Sequence, residues 1–417
     1  MKKQILTLIS LLMLVSILLT ACASQAAPAA APAEPAKPAE AAKPAEDAKP
    51  AEPAAPAAST EPINLALIYP MTGDNAQFGE IEVRAHKYVI DQINANGGIN
   101  GRQVAYEVFD DRGDPKEAAN IAQKVVGDPK FIAGFGHFRS VCTLAAAPIY
   151  DEAEFILLTD SVNAKISGIS PWMFRYSITD SESGKQLAWA ALKNHPEWKK
   201  AAILYTQSDF GVGLKDAIAP ELTNLGVELV ATESYFEGQS KDYTPQLTNI
   251  KTKNPDVIFL LGYYAEAAPI AQQAHQLGMT QTFWGPDALN NQGLIDLGGK
   301  DAEAVYATAY FFENMTYPGV AETVKDFKEK TGKDLDGFGA ISLDATKLLL
   351  QGVAEVGTDK VKLREWLATH KGFVGVSGPI EFDSKNDNMR RIVVLKPENG
   401  KFVLAKESVP EEYFKNK

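Results

Sequence analysis

The chain has 417 residues, with 41 Lys and Arg against 53 Asp and Glu and a formal net charge of -12. No basic cluster stands out, which argues against nucleic acid as a partner and suits solubility. There are only two cysteines, Cys22 and Cys142, so a disulfide-stapled scaffold is excluded and the fold must rest on its core.

Lys2 and Lys3 precede an apolar run from Ile5 to Leu19. The run is short for a bilayer helix and has the layout of a secretory signal. Leu19-Thr20-Ala21-Cys22 resembles a bacterial lipobox, which implies cleavage before Cys22 and lipidation of its thiol, so residues 1–22 are expected to be a lipoprotein signal peptide. From Ala23 to about Glu61 the composition collapses to Ala, Pro, Glu and Lys, with Lys37-Pro-Ala-Glu40 recurring at Lys43 and Lys49. Such a segment cannot build a core. Residues 23–61 are expected to be a disordered tether, and in polyproline II at about 3.1 Å per residue it would reach on the order of 100 Å.

The remaining residues, from about Pro62, suffice for two lobes and alternate strand and helix. Ile63 to Tyr69 predicts a strand, and Gly79 to Asn96 carries helical spacing at Ile81, Ala85, Tyr88, Val89 and Ile93, closed by Gly97-Gly98. Val104 to Phe109 predicts the next strand. Asp110, Asp111 and Asp114 follow it, with Pro115 at a first helical position and Glu117 at capping-box spacing. This acidic knot reads as a helix start, because calcium-loop spacing is absent, and no metal is expected.

Phe131 to Phe135 and Phe155 to Leu158 have strand length, and the segment between them can make one right-handed helical crossover, so the two strands are expected to be parallel. Ser140 and Thr143 follow the first, and Thr159, Ser161 and Asn163 follow the second. In open α/β sheets the loops at the carboxyl ends of strands form the ligand crevice. The same residue types are also ordinary in turns.

A similar series starts near Lys199: strands at Ala201 to Tyr205, Val227 to Tyr235 and Val257 to Leu261, helices from Phe210 through Leu222 and from Tyr243 to Thr252, then Phe283-Trp284-Gly285-Pro286-Asp287. Trp172 to Tyr176 and Val305 to Phe312 read as strands flanking this series and as crossings between lobes. Helices at Ala321 to Lys330, Ile341 to Val356 and Leu363 to Thr369 return to the first lobe, and Ile392 to Leu395 with Phe402 to Leu404 predict a hairpin around Asn399-Gly400.

The chain lacks GxSxG, HExxH and GxxxxGK[ST] patterns. Gly134-Phe-Gly136 and Gly211-Val-Gly213 each lack the third glycine of a dinucleotide fingerprint, so no cofactor is expected. The five histidines are scattered without ligand spacing, and His137, beside the crevice loop, reads as structural. An enzyme is not expected.

The folded part resembles the leucine/isoleucine/valine-binding family of ABC-transporter solute-binding proteins. The resemblance is carried in order by Thr72-Gly73 with Ala76-Gln77-Phe78-Gly79, Ile93 to Ile99, Asp110-Asp111 with Asp114-Pro115, Gly136-His137 with Ser140, Phe174-Arg175, Gly262-Tyr263-Tyr264 and Gly285-Pro286-Asp287. It implies an α/β type I periplasmic-binding fold of two Rossmann-like lobes joined by a multi-strand hinge. Residues 62–182 and 312–388 would form lobe 1, and residues 183–311 and 389–417 lobe 2. It further implies a monomer, held outside the cell by its lipid, that captures an amino acid or analogue by hinge closure and presents it to a membrane permease.

Carried over by motif, Ser140 and the loop of Ser161, Val162 and Asn163 are the carboxylate side, Asp287 the ammonium partner, and Phe78, Phe210 and Tyr263 the aromatic cover. A zwitterion leaving water needs both charges met. Asp287 has a blander reading as a cap for a helix beginning near Leu289. The chain departs from the family at Gly113 and Arg139, where some members carry a disulfide, at Asn163, where a threonine often serves the carboxylate, and at Thr159-Asp160-Ser161, which replaces a Ser-Pro-Gly type of turn. Arg139 reads either as a cation near the pocket or as a solvated side chain. The competing readings are a tethered sensor ectodomain and an extracellular hydrolase.

Overall fold

A computed structural model describes residues 61–415 except residue 240. The expected signal peptide, Cys22 and, but for Glu61, the tether lie outside the described residues. No helix among the described residues is long and apolar enough to cross a membrane.

The first half runs β1 (Ile63–Tyr69), α1 (Ala76–Ala95), β2 (Val104–Asp110), α2 (Pro115–Val126), β3 (Phe131–Gly136), α3 (Ser140–Glu152), β4 (Ile156–Thr159) and β5 (Met173–Arg175). All five strands are parallel, in the order β2-β1-β3-β4-β5. A second series follows: α4 (Asp180–Asn194), β6 (Lys200–Thr206), α5 (Asp209–Asn224), β7 (Glu228–Tyr235), α6 (Thr244–Thr252), β8 (Val257–Leu261), α7 (Tyr264–Gln276), β9 (Thr282–Gly285), α8 (Gln292–Gly298) and β10 (Val305–Ala309). Its parallel strands are ordered β7-β6-β8-β9-β10, the same winding as the first sheet.

The chain then makes α9 (Val320–Thr331), α10 (Gly337–Val356), α11 (Lys360–Thr369) and the short pair β11 (Val374–Gly375) and β12 (Gly378–Pro379). It ends with β13 (Val393–Glu398), β14 (Lys401–Leu404) and α12 (Glu411–Lys415). The expected hairpin is present as β13 and β14, and it adds antiparallel strands to the outer edge of β10. α10 returns to the first half and packs along α1.

Local sequence explains most of these boundaries. At α2, Asp114 is the N-cap, its carboxylate accepts from the amides of Lys116 and Glu117, and Pro115 stands at the first helical position, as expected for a helix start. α1 stops before Gly97 and Gly98, whose φ angles of 93° and 79° suit glycine. β10 is shorter than the expected strand, which ran to Phe312. The reason lies in packing: Tyr310 turns toward Phe338, while Phe311 joins the separate apolar cluster of Tyr88 and Phe327. Consecutive residues feeding two cores bend the chain out of the sheet. Cys142 is buried and free, as a small apolar side chain would be.

Three segments connect the two sheets: from β5 through Tyr176 to α4, from β10 through Tyr310 to α9, and from β12 through Arg390 to β13. They are tied by Arg390, which donates to the carbonyls of Ser377 (2.9 Å) and Tyr176 (3.1 Å).

Candidate functional site

In a sheet wound in the order 2-1-3-4-5, the connections reverse between strands 1 and 3, and a crevice opens at the carboxyl ends there. Both sheets have this order, and the loops at those ends meet. Phe138 and Ser140 come from the loop after β3, and Asp160 and Val162 from the loop after β4. Phe210 follows β6, Tyr263 follows β8, Asp287 and Ala288 follow β9, and Phe338 arrives on the first turn of α10. Together they enclose a cavity of about 20 Å³, room for roughly one water. In this conformation the rings themselves occupy the space.

Five of the expected residues therefore line one cavity: Ser140, Val162, Phe210, Tyr263 and Asp287. Phe78 stands behind the lining, with its ring stacked on Phe138 at 4.4 Å and edge-on to Phe338 at 5.1 Å. Phe210 and Tyr263 pack at 5.2 Å from the opposite side. Ser161 and Asn163 do not line the cavity. The Ser161 hydroxyl lies 2.6 Å from the His137 carbonyl and 2.6 Å from the Thr143 hydroxyl. The Asn163 amide donates to the Asp209 carbonyl at 2.5 Å, and its Oδ1 caps the turn at Lys165.

Ser140 accepts a hydrogen bond from the backbone N–H of Asn163 at 3.2 Å, which leaves its proton free for another acceptor. Removing that hydroxyl deletes one neutral donor, so Ser140→Ala is expected to weaken ligand binding by roughly 1 kcal/mol, read by calorimetry. No change would place the ligand away from the start of α3.

Asp287 is buried and belongs to a short turn, Asp287–Leu289. It does not cap the following helix, because Asn291 does that for α8. Burial pushes its carboxyl up to about 6, while Tyr310 and nearby backbone amides hold it from going higher. Asp160 is raised too, by burial first and then by the charges of Glu82 and Asp287. No histidine, lysine or arginine lines the cavity. His137 is buried behind it, bonded to Asp111 at 2.6 Å and Tyr150 at 3.1 Å. No cluster of three or more metal-ligating side chains occurs among the described residues.

A wider cavity of about 780 Å³ is lined by Asp74, Arg139 and Val141 from the first half and by Gln207, Asp209 and Glu237 from the second. Arg139 is here and not in the inner cavity. Its guanidinium spans the gap to Glu237 at 2.5 Å and donates to the Gly113 carbonyl at 3.0 Å. The two positions that depart from a disulfide thus touch through a hydrogen bond. Asn75 also reaches Glu237, at 3.0 Å, and Lys165 pairs with Asp209 at 2.8 Å. These contacts join the two halves across the mouth.

Phe138, Asp160 and Phe338 were not among the expected site residues. Phe138 and Asp160 stand in the two loops already singled out, so position could have found them. Phe338 lies on a distant helix, and no local signal points to it.

Residues 62–396 match the family described as periplasmic binding protein. An amino acid binding protein of Pseudomonas aeruginosa is 32% identical over 323 residues, covering 76% of this chain and 85% of the relative. The Leu/Ile/Val-binding protein of Escherichia coli K12 is 27% identical over 334 residues, covering 79% and 89%. Among solved structures, a leucine-binding protein from Thermotoga maritima superimposes with a TM-score of 0.78 at 28% identity, covering 84% of this chain and 99% of that one.

Proposed function

The chain belongs to the periplasmic binding protein family, and on that footing we propose that it is the solute-capturing component of an ABC importer, closing on an amino acid or a related small molecule. The observation that carries this reading is convergence: loops from two separately wound sheets supply the walls of one buried cavity. Relatives named for amino acid binding support the ligand class.

In this reading residues 62–182 and 312–388 are one lobe, and residues 183–311 and 389–417 the other. A cavity near 20 Å³ admits no amino acid, so the lobes must part for the ligand to enter. Hinge closure, for which periplasmic binding proteins are a standard case, then brings Phe210, Tyr263 and Asp287 onto a ligand first held at Ser140. Contacts made only in the closed form are what shift the population toward it. The Arg139–Glu237 pair and the Asn163–Asp209 bond form at the mouth in the same step. The closed form is what the permease would receive.

The chain would work outside the cytoplasm as a monomer, held to the membrane through a lipid on Cys22 by the Ala/Pro-rich tether. It would capture its ligand without transforming it.

Asp287 carries the test. It is the buried acid of the second lobe in the cavity, and a ligand ammonium is the charge it can meet. Mass spectrometry of the small molecule that copurifies identifies a ligand, and calorimetry with that compound should show Asp287→Ala weaker by at least about 2 kcal/mol. Affinity within twofold of the parent would remove Asp287 from the binding role.

A further inference from the structure

Asp160 is the crevice residue that the amino-acid reading leaves unused. It follows β4 and lines the same cavity as Asp287, from the opposite half of the molecule. Its side chain is buried, 3% exposed, and hydrogen-bonds the carboxyl of Glu82. Behind it lies this third acid, Glu82, fully buried, whose Oε2 accepts from Ser342 at 3.0 Å and Tyr176 at 3.2 Å.

The nearby guanidiniums are committed elsewhere. Arg175 donates to the Asn163 carbonyl at 2.9 Å and sits 3.4 Å from Asp387. Arg390 donates to Ser377 and Tyr176, with Asp344 as its charge partner, although its Nε, like that of Arg175, has no hydrogen-bond partner. No cation lines the cavity into which Asp160 and Asp287 project.

The side-chain donors that would hold a carboxylate are correspondingly few. Of the side chains expected on that side, Ser140 alone lines the cavity, because the Ser161 hydroxyl is taken by the His137 carbonyl and the Asn163 amide by the Asp209 carbonyl. The rest of the wall is aromatic: Phe138, Phe210, Tyr263 and Phe338. Ring faces attract a cation through their quadrupole.

We propose that the crevice selects a small organic cation, an amine or ammonium with no compensating carboxylate, held between Asp160 and Asp287 and against the aromatic faces. The proposal rests on the solute-capture reading and narrows its ligand class. A zwitterion would bring its carboxylate beside two acids with one side-chain hydroxyl to receive it, whereas a buried charge needs an opposite partner. A cation finds that partner in either lobe, and it supplies the charge that neither carboxylate obtains from the protein.

Calorimetry on the purified full chain with butylammonium, choline and 1,4-diaminobutane, and separately with leucine, isoleucine and benzoate, tests this. At least one amine should bind at least tenfold tighter than leucine, isoleucine and benzoate. Asp160→Asn should weaken that amine tenfold or more while its Tm stays at or above the parent's. Should that variant fail to fold, Asp160→Glu keeps the charge and should keep the preference. If leucine, isoleucine or benzoate binds tighter than the amines or within tenfold of them, or if Asp160→Asn leaves amine binding intact, the charge selection is overturned and solute capture stands. If all six probes give no heat, the charge selection is overturned, and solute capture is then decided by the copurifying molecule.

Discussion

Replacing Asp344 by alanine should cost the fold about 3–5 kcal/mol, the usual penalty for breaking a buried charge network from one side. Asp344 is fully buried on α10 and accepts from the amides of Val376 (2.9 Å) and Ser377 (2.7 Å) and from the Ser377 hydroxyl (2.5 Å). Burial raises its carboxyl, and Ser377 and Arg390 oppose that shift. Without the carboxylate, two amides lose their acceptor and the Arg390 charge, itself 6% exposed, loses its partner. The site matters for function because Arg390 clamps the crossing segment at Tyr176 to the returning chain at Ser377. Urea unfolding reads the effect as a lower midpoint at constant slope. Asp344→Asn, which keeps an acceptor, should lose less, and a loss below about 1 kcal/mol for alanine would remove the network from the fold's support.

Glu82→Gln should stabilise the ligand-free protein at pH 9 by about 2 kcal/mol or more and change little at pH 5, at about 1.4 kcal/mol for each pH unit by which a group is displaced. Burial pushes the Glu82 carboxyl from its ordinary 4.5 up to about 8, with Ser342, Tyr176 and Tyr69 opposing the shift. The folded protein therefore binds a proton at Glu82 that the unfolded chain releases between these two values. Where the native state binds more protons, stability falls as pH rises, so the acid costs nothing below about 4.5 and most above 8. Glutamine keeps an oxygen for Ser342 and Tyr176 and cannot ionise. His86, lowered to about 3 by burial, acts in the opposite direction on the acid side. The measurement is therefore the difference in Tm between parent and variant at each pH, in which His86 cancels. An unchanged difference from pH 5 to pH 9 would mean that Glu82 is not held protonated.

Much of the architecture is written locally. Apolar runs and helical spacing placed the strands and helices, Asp114 with Pro115 opened α2, and Gly97-Gly98 closed α1, because periodicity and capping depend on residues within one or two turns. The same patterns located the right loops, since chemistry in a parallel sheet gathers at strand carboxyl ends. Direction within those loops was another matter. Ser161 and Ser140 are the same residue type in neighbouring loops, yet one faces the cavity and the other turns to the His137 carbonyl and Thr143. Asp160 looked like a turn substitution and became a wall of the crevice.

By itself, then, the sequence determined the alternating α/β plan, the two series of strands and the family to which they belong. Only the tertiary structure decided which side chains share the cavity, that Phe338 completes it from a helix far along the chain, and that two acids line it with no cation. A buried hydroxyl, carboxylate or ring takes its direction from whichever partner satisfies it, and those partners stand on other elements brought near only by the fold.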